Sequence, residues 1–194
     1  MIAVVDYEAG NVRSVLHALE RIGAGEVRLS ADPEILRSAD KVILPGVGDA
    51  SVALESLRRS GLAEVLLSLT RPVLGICVGM QVLCRHTEEG DVDGLGVFDA
   101  EVKRFIPDGI KVPHMGWNTV EGKGCALLEG LTDPVFAYYV HSFYAEISPD
   151  TAAISVHGIP FSAILQHGNF SGTQFHPEKS GPAGARILQN FLSL

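Results

Sequence analysis

Val73-Leu74-Gly75-Ile76-Cys77-Val78-Gly79-Met80 is the stretch whose reading decides the fold. Val73 to Ile76 follow Pro72 as an unbroken apolar run, the pattern of a strand buried on both faces. A helical pattern through Met80, Val82 and Leu83 begins at once. A strand that turns sharply into a helix, with a cysteine at the corner and glycines on either side, is an elbow that holds a nucleophile exposed. Gly75 and Gly79 suit such a turn because a Cβ there would meet neighbouring backbone. The N-terminus of the following helix favours a thiolate, and its free N–H groups can face a developing oxyanion.

Upstream, the alternation that this elbow implies is present. Ile2 to Val5 is a β-branched run, followed by helical spacing at Val12, Val15, Leu16, Leu19 and Ile22, with Asn11 as the expected N-cap. Glu26 to Leu29 reads as a strand, Asp32-Pro33 as N-cap and first residue of a short helix, and Lys41 to Leu44 as another buried strand. Helical spacing returns through Leu54, Leu57 and Leu62 to Leu69. Strand and helix in turn predict an α/β fold with a mostly parallel central sheet flanked by helices.

Downstream of about Leu95 the texture changes to short strand-like runs broken by Gly, Pro and Asn: Ala100 to Phe105, Val135 to Val140, Ala152 to Val156 and Ser162 to Gln166. These predict antiparallel strands added to the same sheet system. Ala183 to Leu194 closes the chain as a helix with Ile187, Leu188, Phe191 and Leu192 on one stripe. No repeat, low-complexity tract or linker is visible, so residues 1–194 read as a single domain.

Composition narrows the class of partner. The chain has 194 residues, 46% of them hydrophobic, enough for a core without staples. A formal net charge of -8 argues against nucleic acid or an anionic membrane surface. The 3 cysteines form no C-x-x-C pair, which suggests neither a disulfide framework nor a thiolate zinc site and fits a reducing cytoplasm. The histidines show no metal-ligand spacing, so no metal is expected. The N-terminus lacks a secretory pattern, and the apolar stretch around Val73 to Leu83 is too short to span a bilayer.

A lone cysteine is more often core than catalytic. Cys84, placed two turns into the helix after the elbow, and Cys125 receive that reading. Cys77 differs because a base is available in Thr173-Gln174-Phe175-His176-Pro177-Glu178. A thiol acting on an amide needs a group that takes its proton and later protonates the leaving nitrogen, and histidine suits both. This segment begins as a strand, where residues two apart face the same side, so Glu178 is expected beside His176 to fix its tautomer. Alone, His-x-Glu would be a surface turn, and His17, His86, His157 and His167 keep that plain reading.

Gly75-Ile76-Cys77-Val78-Gly79-Met80-Gln81 and Phe175-His176-Pro177-Glu178 together resemble the nucleophile elbow and base motif of the class I, triad-type glutamine amidotransferases. Their joint occurrence reverses the plain readings of Cys77 and His176. Four further segments extend the resemblance over essentially the whole chain: Asp6 to Asn11, Pro45-Gly46-Val47-Gly48, Pro113 to Asn118, and Tyr139-Val140-His141-Ser142. Val47, where many related loops carry a second consecutive glycine, points to the histidine-pathway branch. Glu8, where Gly is frequent, and Phe143, where Tyr is common, depart from that branch.

The resemblance implies a flavodoxin-like fold, glutamine as substrate, no cofactor, and Cys77, His176 and Glu178 as a triad. It implies that Gly46, Gly48 and Val78 frame the oxyanion, and that Gln81, His141 and Ser142 contact glutamine. It also implies a heterodimer with a (βα)8-barrel cyclase that consumes the ammonia, met by Met115, Trp117, Tyr138 and Lys179. The end of the chain at Leu194, directly after its closing helix, fits a separate partner. The rivals are the glutaminase of a pyridoxal phosphate or anthranilate synthase, against which Val47 and the Trp117 segment speak. A non-catalytic or redox-sensing elbow module would leave His176 and Glu178 without a task.

Overall fold

The computed structural model describes residues 1–7, 12–122 and 124–194. The expected N-cap Asn11 and the segment Glu8 to Gly10 lie outside the described residues.

The first half follows the alternation in the sequence. Strand β1 (Ile2–Val5) leads to helix α1 (Val12–Arg21), then β2 (Val27–Ser30), α2 (Pro33–Ser38) and β3 (Lys41–Leu44). Asp32 caps α2 by accepting from the Glu34 N–H at 2.9 Å, with Pro33 in the first turn, as expected. The next helical stretch is two helices, α3 (Ala50–Arg59) and α4 (Leu62–Ser68), divided by Gly61 at φ +72°. Leucine spacing alone conceals that break because both helices turn their leucines to the same core. Strand β4 (Val73–Ile76) and the short helix α5 (Val78–Gln81) form the elbow.

The second half comprises β5 (Cys84–Thr87), β6 (Val92–Asp93), β7 (Phe98–Arg104), β8 (His114–Val120), β9 (Val135–His141), β10 (Phe143–Ala145), β11 (Thr151–His157), β12 (Ile159–His167), β13 (Phe170–Thr173) and helix α6 (Gly181–Ser193). The main sheet has the order β11-β12-β13-β4-β3-β1-β2. From β13 to β2 all pairs are parallel, whereas β11 and β12 add on antiparallel. The expectation of one sheet system is corrected in part. A second sheet runs β10-β7-β5-β6 and includes the parallel pair β5 with β7, and β8 with β9 makes a separate ribbon.

Cys84 is also not two turns into a helix, because α5 ends at Gln81 and Cys84 opens β5. The carbonyls of Val82, Leu83 and Cys84 accept from Leu95, Val97, Phe98 and Gly96, partners from a distant segment that leave the helix nothing to continue on. Cys84 is nonetheless fully buried, as is the stripe Ile187, Leu188 and Phe191 on α6, while Leu192 is half-buried.

One hydrophobic cluster joins β1, β3 and β4 to residues of β7, β9, β12 and α6. Parallel pairing sets Ile76 opposite Thr173, so the ends of β4 and β13 deliver Cys77 and Gln174 side by side at the carboxyl edge of the sheet. That edge is where open α/β sheets place their ligands. Among the described residues, no helix is long and apolar enough to cross a membrane.

Candidate active site

Cys77 sits at φ +54° and ψ -108°, a conformation that L-residues rarely adopt. It persists because the surroundings over-determine it. The Cys77 N–H donates to the Thr173 carbonyl at 2.7 Å, and its own carbonyl accepts from Met80 and Gln81 at 3.0 and 3.1 Å. A Cβ on Gly79 would strike the Leu44 carbonyl of β3, and one on Gly75 would strike the Gly79 backbone. The two glycines therefore let the elbow lie against the sheet.

Cys77 and His176 line one pocket of about 300 Å³ with Val47, Gly48, Val78 and Gln81; Glu89, His141 and Ser142 are also on its wall. Gly46 is the exception among the expected oxyanion residues. It does not line the pocket, and a Cβ there would meet the Gly79 nitrogen and Val78, so its part is to let the loop pass against the elbow. Glu89 was not singled out by sequence, because it lies in a turn with no motif. Its carboxylate is half-buried, accepts from the Ala50 N–H at 2.8 Å, and has its pKa raised by burial.

His176 Nδ1 lies 2.8 Å from Glu178 Oε1, and both side chains are buried. The pairing is as expected but the geometry behind it differs. Strand β13 ends at Thr173, and Glu178 reaches back through a 3-10 turn, Pro177–Lys179. Pro177 has no N–H to extend a ladder and its fixed φ suits the start of a turn. With Nδ1 committed to Glu178, Nε2 is the ring nitrogen left for the Cys77 sulfur that adjoins it. Burial disfavours the imidazolium, but the adjoining Cys77 sulfur and the Glu178 carboxylate favour it more, and the pKa is raised to about 9.

The loop that carries His176 is strapped to β9. The His176 N–H donates to the Tyr138 carbonyl at 2.9 Å, the Tyr138 N–H donates to Ser180 Oγ at 2.9 Å, and Ser180 Oγ donates to the His176 carbonyl at 2.7 Å. Tyr138 shares the outer face of the β8–β9 ribbon with Trp117, directly opposite it, their rings 6.1 Å apart. Met115 is 61% and Trp117 57% exposed, so neither is core. Lys179, the last residue of the strapped turn, is half-buried.

The inner face of the same ribbon carries a buried polar chain. The Phe143 carbonyl accepts from His141 Nδ1 at 2.7 Å and from Gln81 Nε2 at 2.9 Å. With the proton on Nδ1, the bare Nε2 of His141 accepts from His114 Nδ1 at 3.0 Å, and His114 Nε2 then accepts from Asn118 at 3.3 Å. Burial lowers the pKa of His114 to about 4 and that of His141 to about 3, so both rings are neutral near pH 7. Tyr7, whose hydroxyl donates to the Pro45 carbonyl at 2.6 Å, ties β1 to the Pro45–Gly48 loop; burial and the nearby Cys77 push its pKa up.

Against known proteins, a family model described as glutamine amidotransferase class-I matches residues 3–194. A protein of Bacteroides thetaiotaomicron named imidazole glycerol phosphate synthase subunit HisH is 54% identical, covering 100% of this chain and 99% of that protein. One of the same name from Idiomarina loihiensis is 46% identical over 100% of this chain and 97% of its own. A crystal structure titled as a glutamine amidotransferase superimposes with a TM-score of 0.76 at 20% identity, covering 100% of this chain and 98% of that one. The structure of PurLQS from Thermotoga maritima gives 0.72 at 20% identity, with 99% and 97% covered. At those identities the two structures speak for the fold alone.

Proposed function

Because this chain belongs to the class-I glutamine amidotransferases, we infer from its site and its relatives that it is the glutaminase subunit of an imidazole glycerol phosphate synthase in histidine biosynthesis. It hydrolyses glutamine to glutamate and ammonia. The observation that carries the chemistry is the pairing in one pocket of a cysteine on a constrained elbow with an adjoining histidine whose Nδ1 is held by Glu178.

In this reading Cys77 passes its proton to His176 and attacks the side-chain amide carbon as a thiolate, and the electron pair of the C=O moves onto oxygen, held by backbone N–H groups at Val78 and Gly48. His176, protonated as its raised pKa favours, gives a proton to nitrogen as the C–N bond breaks, and ammonia leaves. Nε2 then takes a proton from water, the resulting hydroxide adds to the thioester, and the C–S bond breaks to give glutamate and the free enzyme. Gln81 and the backbone at His141 and Ser142 hold the rest of the substrate. Glu89, an acidic side chain on the pocket wall, complements the ammonium of an amino acid.

Residues 1–194 act as one domain in this reading, in the cytoplasm, and the ammonia passes to a (βα)8-barrel cyclase. That enzyme combines it with a phosphoribosyl-formimino ribonucleotide to give imidazole glycerol phosphate and an aminoimidazole ribonucleotide. The exposed Met115 and Trp117, strapped through Tyr138 to His176, support an interface on that ribbon. Ammonia release from glutamine, measured for the chain alone and with the cyclase carrying its ribonucleotide, is expected to rise strongly with the loaded cyclase. Equal rates in both arms would redirect the assignment to another synthase.

Trp117→Ala is expected to weaken binding to the cyclase by about thirtyfold, the cost of truncating a central aromatic anchor. Titration calorimetry reads this directly, and unchanged affinity would remove Trp117 from the interface.

A further inference from the structure

Gln174 is fully buried beside the nucleophile, and no part of the triad reading gives it a task. It follows Thr173 at the end of β13, its N–H fixed to the Ala163 carbonyl at 2.9 Å, so the side chain emerges next to Cys77. Oε1 lies 3.0 Å from Gln81 Nε2, and Nε2 lies 3.8 Å from Cys77 Sγ, within reach of an N–H···S contact.

The direction of this arrangement is forced. A backbone carbonyl can only accept, so Gln81 must turn its NH₂ end to the Phe143 carbonyl. That nitrogen also meets Gln174, which must answer with oxygen, and the remaining end of Gln174 is the NH₂ that faces sulfur. Reversing Gln81 would set its oxygen against two acceptors, and reversing Gln174 would set one NH₂ group against another, in either case leaving buried polar groups unpaired. His176 also adjoins the sulfur and draws part of its raised pKa from it, so Gln174 is a second N–H group at the same atom.

We propose that Gln174 is a positioning residue for the glutaminase reaction, its amide N–H, oriented by Gln81 and the Phe143 carbonyl, holding Cys77 Sγ toward the pocket. The proposal rests on Cys77 being the nucleophile. When the thioester breaks down, sulfur departs with the electron pair of the C–S bond, and an N–H already aimed at it stabilises that charge as it forms. Gln174 does not line the pocket, whereas Gln81 and Cys77, the two residues it touches there, both do.

The test is steady-state glutamine hydrolysis by the synthase complex containing wild-type, Gln174→Met, Gln174→Asn or Cys77→Ser chains. Methionine matches glutamine in length and donates nothing, whereas asparagine keeps the donor but draws it back by one methylene. One hydrogen bond to a charged acceptor corresponds to about ten- to a hundredfold in rate, so kcat is expected to fall by that factor in Gln174→Met and by less in Gln174→Asn. KM for glutamine should stay within about twofold, because Gln81 keeps its bond to the Phe143 carbonyl. A second readout, carboxamidomethylation of Cys77 by iodoacetamide in the isolated chain with Cys77→Ser as blank, should slow in the same order.

The titratable groups around the sulfur, His176, Glu178, Tyr7, Glu89 and His141, are unchanged in the two Gln174 variants. A kcat equal to wild type in Gln174→Met, or a loss carried by KM with alkylation unchanged, would overturn the proposal while leaving Cys77 in place. Full turnover in Cys77→Ser would instead overturn the triad reading on which it stands.

Discussion

Cys77→Ala is expected to lower glutamine turnover in the assembled synthase by about four orders of magnitude or more, the size of effect seen when a nucleophile acting within a triad is removed. No other cysteine can substitute: Cys84 is buried at the start of β5 with its thiol pKa pushed up by burial, and Cys125 is buried on another segment. The fold should survive, since the elbow is held by the Cys77 N–H and carbonyl, which alanine retains, and not by the sulfur. Alanine keeps the positive φ and its strain, whereas Cys77→Gly would relieve a strain of about 1–3 kcal/mol and is expected to melt higher than either. Ammonia release and thermal unfolding measured on the same preparations separate chemistry from folding. Appreciable turnover in Cys77→Ala would sink the nucleophile assignment.

Gly79→Ala should damage stability and activity together. The added Cβ would be driven into the Leu44 carbonyl of β3, a buried backbone atom in the middle of the parallel sheet that has no room to withdraw. Overpacking against backbone costs about 3 kcal/mol, and relaxation would push α5 outward and carry the Val78 N–H away from the pocket. Gly48→Ala provides the contrast: Gly48 is at φ +93° with open space where a Cβ would go, so only backbone strain of about 1 kcal/mol applies. Denaturant midpoints should therefore rank wild type, Gly48→Ala, Gly79→Ala in falling order. A Gly79→Ala chain as stable as wild type would mean that the elbow does not press on β3 as described.

The parts of this molecule that were legible in its sequence are those where one local cause dominates. Ile2 to Val5, Lys41 to Leu44 and Val73 to Ile76 are buried on both faces, so their apolar runs carry the parallel sheet without help from distant segments. Asp32-Pro33 announced a helix start for the same reason. Cys77, His176 and Glu178 were legible as residue types in two motifs, although the 3-10 turn that joins the last two was not, because alternation in an extended strand predicts the same neighbour. What stayed hidden depends on long-range partners. The end of α5 is set by Leu95 to Phe98 taking the carbonyls of Val82 to Cys84 just beyond it, and the division into three sheets follows from pairings no local pattern encodes. Gln174 acquires meaning only once β13 lies beside β4, and Gly46 reads as a loop glycine until the elbow is seen packed against it.

Strand β9 has a consequence for how this protein can change over generations. Phe136 and Tyr138 point outward, Ala137, Tyr139 and His141 point inward, and Val140 comes to the wall of the pocket. If the outward set meets the cyclase, substitutions there are screened by a surface encoded in another gene, and those at the inward set by the histidine and carbonyl network around the substrate. Neighbouring codons along one strand then answer to two different molecules. With that interface, the two genes could not drift apart at this ribbon without the change being felt, through the Tyr138 backbone, at His176.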